Sequence, residues 1–263
     1  DGAHPDNESY ALETQWFMQF ADDYQFTMAA HYHGGAELMN YPWDNNYERH
    51  ADDAWWQMVS REYADLAQNA AQSTDPYYMT DEETGITNGA DWYTIGGGRQ
   101  DYMNYYHQCR EVTIECSTVK CPSASSLPSF WDYNYNSIFA YMNQALCGIH
   151  GTVKDAETKQ PLHATIEILN HDQDYSIVES QLPLGNFHRP INAGTYTVEV
   201  KAEGYFPAQY VVNVKDGEAT TLNVELELGE GIIPDFSVSE NDVAIGSTVQ
   251  FTDESWGSIE AWN

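Results

Sequence analysis

The stretch Phe26-Thr27-Met28-Ala29-Ala30-His31-Tyr32-His33-Gly34-Gly35 decides the fold of the first part of this chain. Its apolar first half, residues 26–30, predicts a short buried strand of the kind found in parallel sheets. Such sheets place their sites at the carboxyl ends of strands, and His33 stands there, before a glycine pair that leaves room for close approach. His33 is therefore a candidate metal ligand, and the alternative is a hydrogen-bonded structural histidine.

Around this strand, apolar residues at helical spacing predict helices over residues 11–25, about 53–72 and 127–146. Residues 110–116 predict a further strand, on which Glu111, Thr113 and Glu115 share one face. Residues 73–108 are rich in Asp, Gly, Asn and Tyr and predict a long loop system, which is typical of a functional region.

After Cys147 the residue pattern changes to segments rich in β-branched residues, separated by turns. The predicted strands cover residues 148–153, 164–169, 195–201, 210–214 and 221–228. This pattern is typical of an all-β sandwich. The sequence pattern changes again near Gly231. Taken together, the three segments predict an α/β mixed-sheet domain followed by all-β sandwich modules.

The charge balance is extreme, because 10 Lys and Arg stand against 41 Asp and Glu for a net charge of −31. Such a surface repels nucleic acid and anionic membranes, so neither is expected as a partner. No apolar run approaches the roughly 20 residues that span a bilayer. The chain opens with neither a signal peptide nor a methionine, which indicates an excerpt or a processed product.

The four cysteines are Cys109, Cys116, Cys121 and Cys147. Their spacing fits no zinc-finger pattern, so we expect disulfides in a secreted protein. All three pairings stay open, although Cys109 and Cys116 share a predicted strand and are the hardest pair to close.

Four motifs together resemble one enzyme family. They are His33-Gly34-Gly35 with Asn40-Tyr41-Pro42-Trp43-Asp44; Thr87-Asn88-Gly89-Ala90-Asp91-Trp92-Tyr93 with Gly97-Gly98-Arg99-Gln100-Asp101; Cys109-Arg110-Glu111-Val112-Thr113-Ile114-Glu115; and Cys147-Gly148-Ile149-His150-Gly151. Residues 1–146 resemble the C-terminal half of a zinc metallocarboxypeptidase catalytic domain, of the branch that includes carboxypeptidases D, N and E.

The resemblance implies a role for five residues. His33 is a Zn²⁺ ligand, and Glu115 is the general base that assists attack of water at the zinc site. Tyr93 closes over the substrate near its terminal carboxylate. Asp44 and Gln100 line the side-chain pocket, where a carboxylate pairs with a C-terminal Lys or Arg. The alternatives are a solvated strand position for Glu115, loop packing for Tyr93 and a turn for Asp44.

Two residues near these motifs stand apart from the family pattern. His31 shares a strand face with His33, and we assign it a structural role because the branch has no fixed histidine there. Arg99 differs from the usual residue before the glutamine, which alters the expected charge of the pocket.

The family's other two zinc ligands lie in an upstream His-x-x-Glu, and its clamp for the substrate carboxylate lies in an upstream Asn-Arg. Neither motif occurs in the 263 residues. The chain is therefore the C-terminal portion of a longer polypeptide or a form that has lost the site. Because one ligand cannot hold catalytic zinc, we predict that this chain alone is inactive.

Residues 147–229 resemble the transthyretin-like, or carboxypeptidase regulatory-like, β-sandwich, with Gly194-Thr195-Tyr196-Thr197-Val198 and Ala202-Glu203-Gly204-Tyr205 in its signature region. Residues 230–263 resemble the beginning of a PKD-like sandwich. These modules are expected to contact other proteins, glycans or neighbouring domains.

The expected function is that of a secreted, bacterial zinc carboxypeptidase that acts on basic C-termini of peptides and proteins. The alternative is a non-catalytic extracellular structural or adhesive protein, built from a degenerate carboxypeptidase half and β-modules. The upstream sequence decides between them.

Overall fold

The computed structural model describes residues 9–229, 236–239, 248–253 and 255. The helices are α1 (Leu12–Asp23), α2 (Asp53–Ala71), α3 (Gly89–Trp92), α4 (Arg99–His107) and α5 (Leu127–Asn143), with 3₁₀ turns at Asp81–Glu83 and Gln144–Leu146. The strands are β1 (Met28–His33), β2 (Ala36–Tyr41), β3 (Ile86–Asn88), β4 (Arg110–Ser117), β5 (Gly148–Asp155), β6 (Thr165–Ile168), β7 (Val178–Glu179), β8 (Asn186–Arg189), β9 (Gly194–Lys201), β10 (Ala208–Val214), β11 (Ala219–Thr221), β12 (Val224–Leu226), β13 (Phe236–Val238) and β14 (Phe251–Asp253).

The first domain is built on a four-stranded mixed sheet with the order β1-β4-β2-β3. β1 runs parallel to β4, in a register that places His31 opposite Thr113 and His33 opposite Glu115. β4 is antiparallel to β2, which is in turn parallel to β3. β4 therefore lies in the middle of the sheet, flanked by the strands that carry the first motif.

One face of this sheet forms the main core of the first domain. Val112 and Ile114 of β4 are fully buried against α2 and α5. Full burial of such a side chain stabilises the fold by about 1.5–3 kcal/mol. Because strand residues alternate, Glu111 and Thr113 point to the opposite face, which α4 and α1 border. The predicted shared face of Glu111, Thr113 and Glu115 follows from this alternation.

The structure corrects two predicted boundaries. The region 73–108, predicted as a loop system, contains β3, α3 and α4. β3 has three residues and α4 lacks an apolar stripe, so neither gives a strong sequence signal. The first strand, predicted over residues 26–30, runs from Met28 to His33, because its backbone pairs with β4 along that whole length.

The second domain is a sandwich of two sheets. One has the order β10-β9-β6-β7, and the other has β5 paired with β11, β12 and β8. Apolar residues from both sheets fill the space between them, among them Ile149, Ile166, Phe187 and Val198. The predicted class, an α/β mixed-sheet domain followed by a β-sandwich, is confirmed.

The prediction of disulfides is wrong, since all four cysteines are free thiols. Cys109 is buried at the start of β4 while Cys116 lies near its end, roughly 20 Å away at the usual rise per strand residue. Cys121 is exposed, and Cys147 precedes the second domain. Burial raises the pKa of the Cys109 thiol, which favours the protonated, unreactive form.

Past residue 229 the described residues form one antiparallel pair, β13 with β14, in which the rings of Phe236 and Phe251 are 5.6 Å apart. Most of residues 230–263, the predicted PKD-like module, lies outside the described residues, so that assignment stays a prediction. No described helix combines the length and the apolar character needed to cross a bilayer.

Candidate active site

His33 and Glu115 meet at the carboxyl end of β1. They are register partners on parallel strands, and His33 Nδ1 lies 2.9 Å from Glu115 Oε1. The His33 side chain is 57% exposed, whereas that of Glu115 is 7% exposed. The second carboxylate oxygen, Oε2, is buried without a hydrogen-bond partner among the described residues. The pair thus presents an imidazole to solvent with a carboxylate behind it.

The same pairing recurs two residues earlier along both strands. His31 Nδ1 lies 2.9 Å from Glu111 Oε1, and His31 Nε2 lies 2.9 Å from Thr113 Oγ1. Arg99 Nε lies 2.7 Å from Glu111 Oε1, and its guanidinium sits 4.1 Å from the centre of the Phe17 ring. The fully buried Glu111 carboxylate therefore has a cationic partner, and Arg99 is held away from Asp44 by that pairing.

Thr113 links this network to the predicted pocket. Its hydroxyl donates to Gln100 Oε1 at 2.9 Å, which turns the Gln100 amide nitrogen toward Asp44. Gln100 Nε2 donates to Asp44 Oδ1 at 3.1 Å, and Asn40 Nδ2 donates to the same oxygen at 3.0 Å. The predicted pocket residues Asp44 and Gln100 are thus in direct contact and buried.

The backbone around Asp44 is held by a second carboxylate. Asp101 accepts hydrogen bonds from the backbone N–H groups of Asp44, at 2.9 Å, and Asn45, at 3.0 Å. Burial raises the pKa of Asp101 to about 6 and also raises the pKa of Asp44. A Cβ added at Gly89 would lie 1.8 Å from Asp44 Oδ1, so only glycine leaves room for this carboxylate.

Tyr93 is the predicted site residue that the structure does not join to the others. Its ring is exposed and packs on Trp92, with centroids 4.7 Å apart. Within the described residues, no hydrogen bond joins its side chain to His33, Glu115, Asp44 or Gln100. Its segment is nevertheless anchored beside Asp44, since Ile95 N–H donates to the Asp44 carbonyl at 3.0 Å.

Three residues of this network were assigned no site role from the sequence: His31, Thr113 and Arg99. The alternation of Glu111, Thr113 and Glu115 indicated that Thr113 faces the site. The contacts of His31 and Arg99 depend on which strands pair and on where α4 packs, and the local sequence gives no sign of either.

The residues present fit part of a zinc site. His33 offers one solvent-accessible imidazole beside the unpartnered oxygen of Glu115. A catalytic zinc site takes three protein ligands and an open position. Among the described residues, His33 belongs to no group of three closely spaced His, Cys, Asp or Glu donors. The described residues thus offer one candidate ligand, His33, and β1, which carries it, is an edge strand within the described sheet.

The one such three-donor group in the described part of the chain lies between the domains, and it is not a metal site. It consists of Asp52, His171 and Asp172. Both Asp52 oxygens are already occupied, because Arg110 Nη2 lies 2.6 Å from Oδ2 and Arg189 Nη2 lies 3.0 Å from Oδ1. Two guanidinium groups supply the positive charge that a metal ion would bring, so the group is a buried ion-pair network.

Comparison with known proteins agrees with the two-domain fold. Residues 1–137 match the zinc carboxypeptidase family model, and residues 148–227 match that of the carboxypeptidase regulatory-like domain. The chain therefore belongs to the zinc carboxypeptidase family.

Its relatives include three animal enzymes. Carboxypeptidase D of Mus musculus is 32% identical over 84% of this chain and 17% of that protein. Carboxypeptidase E of Caenorhabditis elegans is 31% identical over 80% of this chain and 48% of that protein. The catalytic chain of human carboxypeptidase N is 30% identical over 85% of this chain and 50% of that protein. The chain thus spans half or less of the length of each.

Proposed function

We propose that this chain is the C-terminal portion of a zinc metallocarboxypeptidase of the D, N and E branch, which hydrolyses the last peptide bond of its substrates. The contact between His33 and Glu115 carries the proposal, because it joins a metal-ligand type to a carboxylate with one free oxygen. Asp44 and Gln100 lie on the face of the sheet that carries Thr113, which donates a hydrogen bond to Gln100. We assign His33 as zinc ligand, Glu115 as general base and Asp44 with Gln100 as pocket residues.

The zinc ion, when bound, supplies the positive charge that polarises the scissile carbonyl and makes water easier to deprotonate. His33 contributes one ligand to it. Glu115 keeps Oε1 on the His33 ring and has Oε2 free, so Oε2 takes the proton from the attacking water and passes it to the leaving amine. Tyr93, exposed on an anchored segment, closes over the substrate near its terminal carboxylate.

Basic specificity is supported by the surroundings of Asp44. The partners of its carboxylate are amides, and no described Lys or Arg forms an ion pair with it. The raised pKa of Asp44 signals a buried charge that is under-compensated. A Lys or Arg side chain of the substrate supplies the missing cation, and Arg99 does not compete because Glu111 holds it.

Replacing Asp44 by Asn in the complete enzyme is expected to lower kcat/KM for Arg-terminated peptides by about 10- to 100-fold, the worth of one hydrogen-bonded charge pair. Activity on peptides with an apolar C-terminal residue should change little. Steady-state kinetics on matched peptide pairs measures both. An unchanged preference for Arg over Leu would remove Asp44 from the pocket.

The purified chain of 263 residues is expected to release no C-terminal Lys or Arg from peptides, because it offers one zinc ligand at His33. An assay with and without a chelator, run beside the full-length protein, measures this. Chelator-sensitive release by the chain alone would contradict the assignment. A full-length protein without zinc would instead favour the non-catalytic alternative.

We further propose that the complete protein acts outside a bacterial cell, with residues 230–263 beginning a PKD-type module. The net charge of −31 suits a soluble extracellular enzyme and favours cationic peptide substrates over long distances. The β-modules then contact other proteins, glycans or neighbouring domains. Fractionation of the producing cells and their medium tests the location.

A further inference from the structure

A pair of histidines lies in the second domain, on strands that carry none of the proposed active-site residues. His150 of β5 and His188 of β8 are directly opposite one another in an antiparallel ladder, and their ring centroids are 5.6 Å apart. Their strand neighbours Ile149 and Phe187 are buried in the sandwich core. Because side chains alternate along a strand, both imidazoles project from the outer face of this sheet.

Each of these rings has a buried nitrogen without a partner. His150 Nε2 and His188 Nδ1 are shielded from solvent and accept or donate no hydrogen bond within the described structure. A buried polar atom left unpaired costs about 1–3 kcal/mol, so each of these two atoms is available to a ligand that would bond it. Burial, together with the neighbouring His150, lowers the pKa of His188.

The distance between the rings suits one ion. With metal–nitrogen bonds of about 2.0–2.1 Å and tetrahedral angles, two imidazoles on one ion have centroids about 5 Å apart. The observed 5.6 Å is close enough for small side-chain rotations to close the site. Opposed residues on neighbouring strands also have Cβ atoms about 4.5–5.5 Å apart, which is within reach of one shared ligand.

The surroundings favour a cation over an anion. His188 lines a cavity of about 480 Å³ between the domains, with His107 and Glu179 also in its wall. No Lys or Arg is among the described residues that line it. Glu179 is paired with His163 at 3.2 Å, and His107 Nε2 lies 3.8 Å from Asp22. Arg189, next in sequence to His188, is engaged with Asp52 and Asp172.

We propose that His150 and His188 bind one divalent transition-metal ion across the β5–β8 strand pair, with water in its remaining positions. Imidazole ligands select Zn²⁺, Cu²⁺ or Ni²⁺, and the absence of carboxylates from the pair argues against Ca²⁺ and Mg²⁺. This site is separate from the zinc site at His33 and does not depend on the proposed peptidase function.

The test is a titration of the full chain with Zn²⁺, followed by long-range ¹H–¹⁵N NMR of the histidine rings. The protein used in this titration is the His33→Ala variant of the chain, which lacks the proposed ligand of the catalytic zinc. We expect the signals of His150 Nε2 and His188 Nδ1 to shift together and to saturate at one ion per chain. Calorimetry should show that His188→Asn weakens this binding at least about tenfold. The matched control His163→Asn removes another imidazole of the same domain and should leave it unchanged.

Thermal unfolding supplies a second measurement and checks that each variant folds. Zn²⁺ should raise the unfolding midpoint of the chain and of His163→Asn, because the ion binds only the folded strand pair. It should not raise the midpoint of His188→Asn. The proposal is overturned if Zn²⁺ shifts the signals of one ring without the other, or if His188→Asn binds Zn²⁺ as tightly as the unchanged chain. It is also overturned if binding occurs only at millimolar Zn²⁺, which would indicate an adventitious ion only.

Discussion

Replacing Asp52 by Asn is expected to lower the free energy of unfolding of the chain by about 3–5 kcal/mol, as removal of one partner from a buried ion pair does. Asp52 immediately precedes α2 and is fully shielded from solvent. Its carboxylate contacts Arg110 of the first domain and Arg189 of the second. His171 Nε2 lies 2.8 Å from the same carboxylate.

The size of the effect comes from the cations left behind. Burial acts to raise the pKa of Asp52, but Arg189 and Arg110 hold it well below its usual range. The carboxylate is therefore charged at neutral pH. An Asn side chain keeps the shape but leaves the two buried guanidinium groups with one paired carboxylate, that of Asp172 on Arg189.

Urea denaturation followed by tryptophan fluorescence measures the loss. The matched control is Asp65→Asn, which removes an exposed carboxylate paired with Arg61 at 2.9 Å and should cost no more than about 0.5 kcal/mol. Because the pKa of Asp52 is lowered on folding, its contribution is present above the unfolded pKa near 3.9 and is lost as the pH falls below it. A loss under about 1 kcal/mol at pH 7 would contradict the assigned role.

The ion pairs of Asp52 also show which contacts could not be predicted from the sequence. Alternation along residues 110–117 is a local signal, and it correctly indicated that Glu111, Thr113 and Glu115 share a face. The contact of Asp52 with Arg189 joins residues 137 positions apart in two domains. No local pattern marks either residue as a partner, because the pairing arises only when the sandwich docks on the first domain.

The candidate site divides in the same way. Each motif could be found alone, since His33, Asp44, Gln100 and Glu115 sit in recognisable stretches. The pairing of His33 with Glu115 needs the register of β1 on β4, and the hydrogen bond from Thr113 to Gln100 needs the packing of α4. The helix α4 was missed because its burial rests on polar contacts, such as the hydrogen bond from Asn104 Nδ2 to the Glu111 carbonyl.

Replacing Glu115 by Gln in the complete, zinc-loaded enzyme is expected to lower kcat by about 10²- to 10⁴-fold, the usual worth of a general base. The amide keeps the size of the side chain and can still bond His33, but it has no carboxylate oxygen to take the proton of water. KM for an Arg-terminated peptide should change little, since Asp44 and Gln100 are untouched. Steady-state kinetics and zinc analysis of the same preparation measure these quantities.

The matched control is Glu37→Gln on β2. Its register partner is Cys116, one residue beyond Glu115, and it shares the face of Met39 and Tyr41, opposite to the site. Glu37→Gln removes the same negative charge from the same sheet, but outside the site. Its kcat should therefore stay within about threefold of that of the unchanged enzyme. If Glu115→Gln kept its kcat, the proton would move through another group. If it lost zinc along with activity, Glu115 would hold the metal site together rather than act as its base.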